Sequence, residues 1–155
     1  MTTPKIRKAV AEDLPQIVAL LAQLSIDEPL EDTGPPLPEA YGHALGEILA
    51  DPRQHLLVSE LDGRVIGTAV LVLVTNLSHR ARPYGIIENI VVDAAARGQG
   101  VGEAIVLRAV ELARAAGCYK VSLTSNISRI DSHRFYARLG FKQTHLGFRI
   151  DFNHS

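Results

Sequence analysis

Two periods of apolar residues alternate along this chain, and each stretch of constant period reads as one element. Lys5 to Val10 alternates like a strand, and the acids that follow suggest a helix cap near Asp13, after which Ile17, Leu20, Leu21 and Leu24 keep helical spacing. Ser25 to Pro38 holds four prolines, a glycine and four acids, a composition that blocks regular structure. Glu39 to Ala50 predicts a helix that stops at Asp51-Pro52. His55 to Glu60 and Arg64 to Thr75 flank Asp62-Gly63, a hairpin signal, and Gly67 in the second of these strands suggests a bulge or a close backbone approach. After a polar connection from Asn76 to Pro83, Tyr84 to Val92 supplies a third strand of the meander.

Val101, Ile105, Ala109, Leu112 and Ala116 form one face of the next helix, with Glu103, Arg108, Glu111 and Arg114 on the other and Gly117 at its end. Tyr119 to Thr124 predicts a strand, a helix through Phe135 to Leu139 stops at Gly140, and Phe141 to Phe152 offers up to two closing strands. An early antiparallel meander joined to later strand-helix-strand units implies an α/β (α+β) class. The expected architecture is a mixed, mostly antiparallel central sheet of about 6–7 strands with helices on both faces, in one domain over residues 1–155.

Composition narrows the function. Sixteen Lys plus Arg stand against 17 Asp plus Glu, so the basic excess of a general nucleic-acid binder is missing. The longest apolar run, Ala69 to Val74, is far short of a membrane span, and the opening MTTPKIRKAV lacks the apolar stretch of a secretion signal. Cys118 is the single cysteine and cannot form an intrachain disulfide; a cytoplasmic protein is expected.

Chemistry concentrates in Glu88 to Gly102, ENIVVDAAARGQGVG: an apolar strand, a short turn, then glycines at alternate positions opening an amphipathic helix. Gly98, Gly100 and Gly102 let backbone come close to a ligand, free N–H groups at the helix start form a concave donor cluster, and Arg97 adds a charge at the rim, so an anion is expected there. A Walker loop, GxxxxGK[ST], is absent, and a dinucleotide fingerprint would need glycine where Glu103 stands.

The spacing Arg97-x-x-Gly100-x-Gly102 resembles the [RQ]xxGx[GA] signature of the GNAT superfamily of acetyl-CoA-dependent N-acyltransferases. The resemblance extends to RKAVAEDLPQIVALL, to the DGRVIGTAVL hairpin and to RFYARLGF, nearly the whole chain. It implies that the loop Arg97, Gly98, Gln99, Gly100, Val101 and Gly102 cradles the pyrophosphate of acetyl-CoA as cosubstrate. It also implies that the pantetheine arm pairs with the backbone of Ile90, Val91 and Val92, with the sheet splayed between its fourth and fifth strands.

An amine nucleophile with a pKa near 10 is free in only about one molecule in a thousand at neutral pH, so a base must take its proton. Glu88 is the candidate: if Ile86, Ile90 and Val92 share its strand face, desolvation should raise its pKa. An acid merely facing solvent is the plain alternative. In the family a tyrosine on the last helix protonates the departing thiolate, and Tyr136 matches that position, although Phe135, Tyr136 and Leu139 also read as a core stripe. Backbone N–H groups near Ile90 and Val91 would face the thioester oxygen. Many members carry Asn seven residues before that tyrosine; here Arg129 stands there, with Asn126 three residues earlier. Arg129 could pair an anionic group and Asn126, at the strand end, could replace the amide, or both could be solvated caps.

The six histidines show no ligand spacing, so no metal is expected, and His133 reads as a surface or site-wall residue. Cys118 reads as a packed small hydrophobe, since direct transfer needs no acyl-cysteine. The acceptor should lie among the Ser25 to Pro38 loop, the Asn76 to Tyr84 connection and the C-terminal strands. Asp27, Glu28, Glu31 and Asp32 would attract an amine, and His79, Arg80 and Arg82 an acid. GIIENIVVD and GCYK look like segments of glucosamine-phosphate N-acetyltransferases, but amino sugars, aminoglycosides, amino acids, polyamines and protein termini all stay open. The expected activity is acetyl transfer to a primary amine of a small molecule or peptide, without nucleic-acid or membrane partners. A non-catalytic acyl-CoA-binding module and a nucleotide-dependent oxidoreductase are the rivals. A homodimer, common in the family, stays open, with GFRIDF as a candidate edge.

Overall fold

Four strands run antiparallel in chain order, β1 (Lys5–Lys8), β2 (Gln54–Leu61), β3 (Arg64–Val74) and β4 (Tyr84–Val92), and β5 (Val121–Ser122) adds parallel to β4. The computed structural model describes residues 3–25 and 29–152, in two compact units, Met1–Leu123 and Thr124–Ser155. The helices of eight or more residues among those described are, in the first unit, α1 (Leu14–Leu21), α2 (Glu39–Ala50) and α3 (Val101–Ala115), and in the second α4 (Ile130–Arg138).

The β2–β3 turn follows from its dipeptide. Asp62 and Gly63 both take positive φ, 51° and 79°, the pair of left-handed residues that a two-residue hairpin needs. Gly67 meets the first of the two expectations placed on it: the β2–β3 register slips between Ser59 and Glu60 opposite it; the tight neighbour of a Cβ there is a side chain, Val101 Cγ1 at 3.1 Å. Hydrophobic periodicity places the core on both faces of the sheet. Ala9, Ile17, Leu20, Val58, Val65 and Val91 pack together on the α1 side, while Ile66, Ala96 and Val101, with Val92 against them, pack on the α3 side. Val101, Ile105, Ala109 and Ala113, one turn apart along α3, are buried, each large aliphatic side chain contributing roughly 1.5–3 kcal/mol.

The mixed sheet with helices on both faces is as expected, with five strands among the described residues rather than 6–7. Two local readings are corrected. The strand expected at Tyr119 to Thr124 is confined to Val121–Ser122, because only Gly85 and Ile86 of β4 offer it ladder partners. The closing strands expected within Phe141 to Phe152 do not form among the described residues: alternation selects a face but makes no ladder without a neighbouring backbone.

Candidate active site

The course of β4 organises the site. Val70 of β3 pairs with Glu88 and Thr68 with Val91, so three steps of β4 run against two of β3 and one residue is extra. Asn89 takes it up at φ 53°, a left-handed conformation that asparagine tolerates better than β-branched residues do. The bulge changes which way the strand faces. A Cβ at Gly85 would touch Ala113 of α3, so by alternation Tyr84, Ile86 and Glu88 project to the α1 side. Beyond the bulge Val91 belongs to the α1-side core and Val92 to the α3-side core, which puts Ile90 with Val92. Glu88 therefore does not share a face with Ile90 and Val92, and it is exposed; the expected desolvation of its carboxylate by those neighbours is corrected.

Beyond Ile86 the β5-facing edge of β4 has no ladder partner among the described residues, leaving the backbone from Ile87 to Val92 available to an extended guest. This is the splay expected between the fourth and fifth strands. The strand leads through a short turn into the loop of Gly98 and Gly100. Gly98 and Gly100 take φ of 79° and 80°, and a Cβ at either would meet nothing within 4 Å. Glycine is needed there for backbone direction, and the space in front stays open. Gly100 caps α3 without any side-chain hydrogen bond to the first turn, so the amides at Val101, Gly102 and Glu103 point outward with the positive end of the helix dipole behind them. Arg97 is exposed, its Nε donating to Val92 O at 3.3 Å. Gln23 anchors the loop's start: its Nε2 donates to Asp93 Oδ1 at 3.2 Å and its Oε1 accepts from Ala94 N at 3.1 Å.

A pocket of about 230 Å³ opens on the α1 side of the bulge, lined by Ile17, Leu21, Tyr41, Leu45, Thr68 and Asn89 among others. Asn89 was missed by sequence reasoning; the only signal was a polar amide inside an apolar strand. Glu31 Oε1 accepts from Tyr41 Oη at 3.0 Å, and Tyr41 Oη accepts from Asp32 N at 3.0 Å. Asp27 and Glu28 lie outside the described residues.

In the second unit, Tyr136 is half-buried on α4 with Phe135 and Phe141 edge-on to its ring. Burial pushes its phenol above the ordinary value, while the Arg129 guanidinium draws it down. Asn126 lies in a turn and not at the end of a strand: its Oδ1 accepts from Ser128 N and Oγ at 3.0 and 2.7 Å. His133 Nε2 contacts the Asn126 carbonyl at 3.0 Å, and Arg129 is the exposed N-cap of α4. Cys118 is partly buried, which raises its thiol pKa and disfavours the thiolate a nucleophile would need. No helix among the described residues is long and apolar enough to cross a membrane.

A bulged strand with a free edge, leading into glycines and an uncapped helix start, coincides with a match to the Acetyltransferase (GNAT) family over residues 19–141. The chain belongs to the GNAT acetyltransferase family. It is 34% identical over 148 residues to an aminoalkylphosphonate N-acetyltransferase of Salmonella typhimurium, covering 96% of this chain and 91% of that one. It is 34% identical over 138 residues to glucosamine 6-phosphate N-acetyltransferase 1 of Oryza sativa subsp. japonica, covering 87% and 78%. A solved structure described as a transcriptional regulator from Bacillus halodurans superposes with a TM-score of 0.90 at 34% identity, over 97% of this chain and 100% of that one. As a GNAT acetyltransferase the chain is an acyl-transferring enzyme, and the curated relatives just named carry the acetyl group to an amine nitrogen.

Proposed function

We propose that this acetyltransferase moves an acetyl group from acetyl-CoA to the primary amine of a small acceptor by direct attack within a ternary complex. The observation that carries this reading is the juxtaposition of β4's unpaired edge with the uncapped start of α3. One offers an extended ladder to the pantetheine amides at Ile90, Val91 and Val92; the other offers donors to the pyrophosphate at Arg97, Gly98, Gln99, Gly100, Val101 and Gly102.

In this mechanism the free amine attacks the thioester carbonyl carbon, the carbon–sulfur bond breaks, and backbone N–H groups near Ile90 and Val91 hold the oxygen on which charge develops. Glu88 takes the amine's proton. Its exposure leaves room for a water to relay that proton. Tyr136 supplies the proton to the departing thiolate; its raised pKa keeps the phenol protonated at neutral pH. Arg129 and Asn126 are coenzyme-contact candidates by their positions before Tyr136 in the sequence.

The test is release of free thiol from acetyl-CoA with a panel of primary amines. Turnover that Glu88→Gln or Tyr136→Phe suppresses while CoA still stabilises the fold against heat supports the reading; CoA binding with no amine ever releasing thiol overturns it. The names of the relatives favour an acceptor that carries a phosphate or phosphonate.

A further inference from the structure

The β3–β4 connection is built in an unexpected way. His79, Arg80 and Ala81 take φ of 54°, 62° and 61° in succession, a left-handed run that costs non-glycine residues roughly 1–2 kcal/mol each. Such a turn persists only where surrounding contacts over-determine it, and here they are specific. Asn76 Nδ2 donates to Ser78 O, Ser78 Oγ and Arg82 O at 3.1, 2.8 and 3.2 Å. The His79 ring stacks on Tyr119 at 3.8 Å and 12°, and Tyr119 N donates to Pro83 O at 3.0 Å. Tyr84 meets Tyr119 edge-on, with Lys120 Nζ 5.2 Å from the Tyr84 ring and 5.7 Å from the Tyr119 ring.

The strained turn therefore places Arg80 and Arg82 in a connection whose His79 is stacked on an aromatic platform, and that platform carries a third cation, Lys120. All three are exposed, and no carboxylate pairs with any of them among the described residues. Loops that serve only as connections do not need strained backbone. Tyr84 also shares its strand face with Ile86 and Glu88, as the position of Gly85 against α3 requires. Tyr84, with Lys120 Nζ against its ring, and Glu88 thus stand at two ends of one face, four residues or about 13 Å apart along β4, and Arg82 and Arg80 precede Tyr84 by two and four residues.

We propose that Arg80 and Arg82, supported by Lys120, bind the oxyanion of the acceptor, a phosphate or phosphonate, while its amine is presented to Glu88. This rests on the acyl-transfer reading above. Arginine suits the task because its fork matches two oxygens of a tetrahedral anion. The roughly 13 Å between Tyr84 and Glu88, with the arginine side chains reaching back from the connection before Tyr84, admits a small acceptor whose amine and oxyanion lie several bonds apart.

Paired acceptors that differ only in the oxyanion test it: glucosamine 6-phosphate against glucosamine, and phosphoethanolamine against ethanolamine. The wild-type enzyme is expected to prefer the charged member of a pair, and the Arg80→Ala/Arg82→Ala variant to lose about a hundredfold of that preference in kcat/KM. Unchanged CoA-induced thermal stabilisation shows that the variant is folded. A variant that keeps the preference, or a wild type that shows none, overturns the proposal. If no amine is turned over at all, the acyl-transfer reading has failed, and calorimetric titration with phosphoethanolamine decides the anion site separately: heat with the wild type and none with the variant sustains it, and no heat with either overturns it.

Discussion

Glu88 and Val92 project from opposite faces of β4 although they are four residues apart, a spacing that places residues on one face of a regular strand. The inserted residue at Asn89 produces the inversion. It turns the acid to the α1 side and leaves the following backbone edge free beside the α3 start. A strand without the bulge would put Glu88 and Val92 on the same face.

Asn89 should accordingly accept glycine and reject valine. Asn89→Gly removes a side chain at φ 53° without strain, whereas Asn89→Val puts a β-branched residue there and should lose about 1–2 kcal/mol of stability. Chemical denaturation of the two variants checks this; a valine variant as stable as the glycine variant would mean that the bulge does not exist in solution.

Gly98→Ala and Gly100→Ala should separate folding from coenzyme binding. Each residue sits at positive φ with open space where a Cβ would go. The cost to the free enzyme should be about 1 kcal/mol of backbone strain per site, with no clash. The stabilisation given by saturating CoA should fall by more than that, because the amides that face the pyrophosphate would be turned. Melting curves with and without CoA measure both quantities.

These glycines were legible from their order, since alternate glycines before an amphipathic helix have few other uses. So was α2, whose span Glu39–Ala50 lies between a proline-rich loop and Asp51-Pro52. The bulge was not legible: one extra residue leaves an apolar run apolar, and only the partner strand reveals the slip. The left-handed turn at His79 was hidden for a related reason, because its support comes from Tyr119, beyond α3. Phe141 to Phe152 failed in the opposite sense. Its alternation reads as strand, yet period alone supplies no ladder partner.

Arg129 should tune the Tyr136 phenol. Burial raises the phenol's pKa and the guanidinium opposes that rise, so Arg129→Ala removes the opposing charge and the phenol should titrate at still higher pH. Ultraviolet titration of tyrosinate, taken as the difference from the same background with Tyr136→Phe, reads the group directly. A downward move would contradict the assignment. The thiolate-protonating step should stay intact at neutral pH in the Arg129→Ala variant, since the acid remains protonated there.

Away from the site, Arg7 ties the end of β1 to the turn before α1. Its Nη1 and Nη2 donate to the two oxygens of Asp13 at 2.7 and 2.9 Å, and its Nε to Glu60 at 3.0 Å. The Asp13 carboxyl, 6% exposed, is held below the ordinary carboxylate value chiefly by the Arg7 hydrogen bonds; burial works against them and the Val10 N–H adds to them. A carboxyl whose pKa is lower in the folded state contributes its full stability above the unfolded value, and that share is lost as pH falls towards the folded one. Acid should therefore destabilise the wild type through and below the ordinary carboxylate range. Asp13→Asn should cost about 3 kcal/mol at neutral pH and leave a shallower dependence on acid, because the group that takes up the proton is gone. Urea unfolding of both proteins from neutral to acidic pH tests this, and parallel curves would remove Asp13 as the source of the slope.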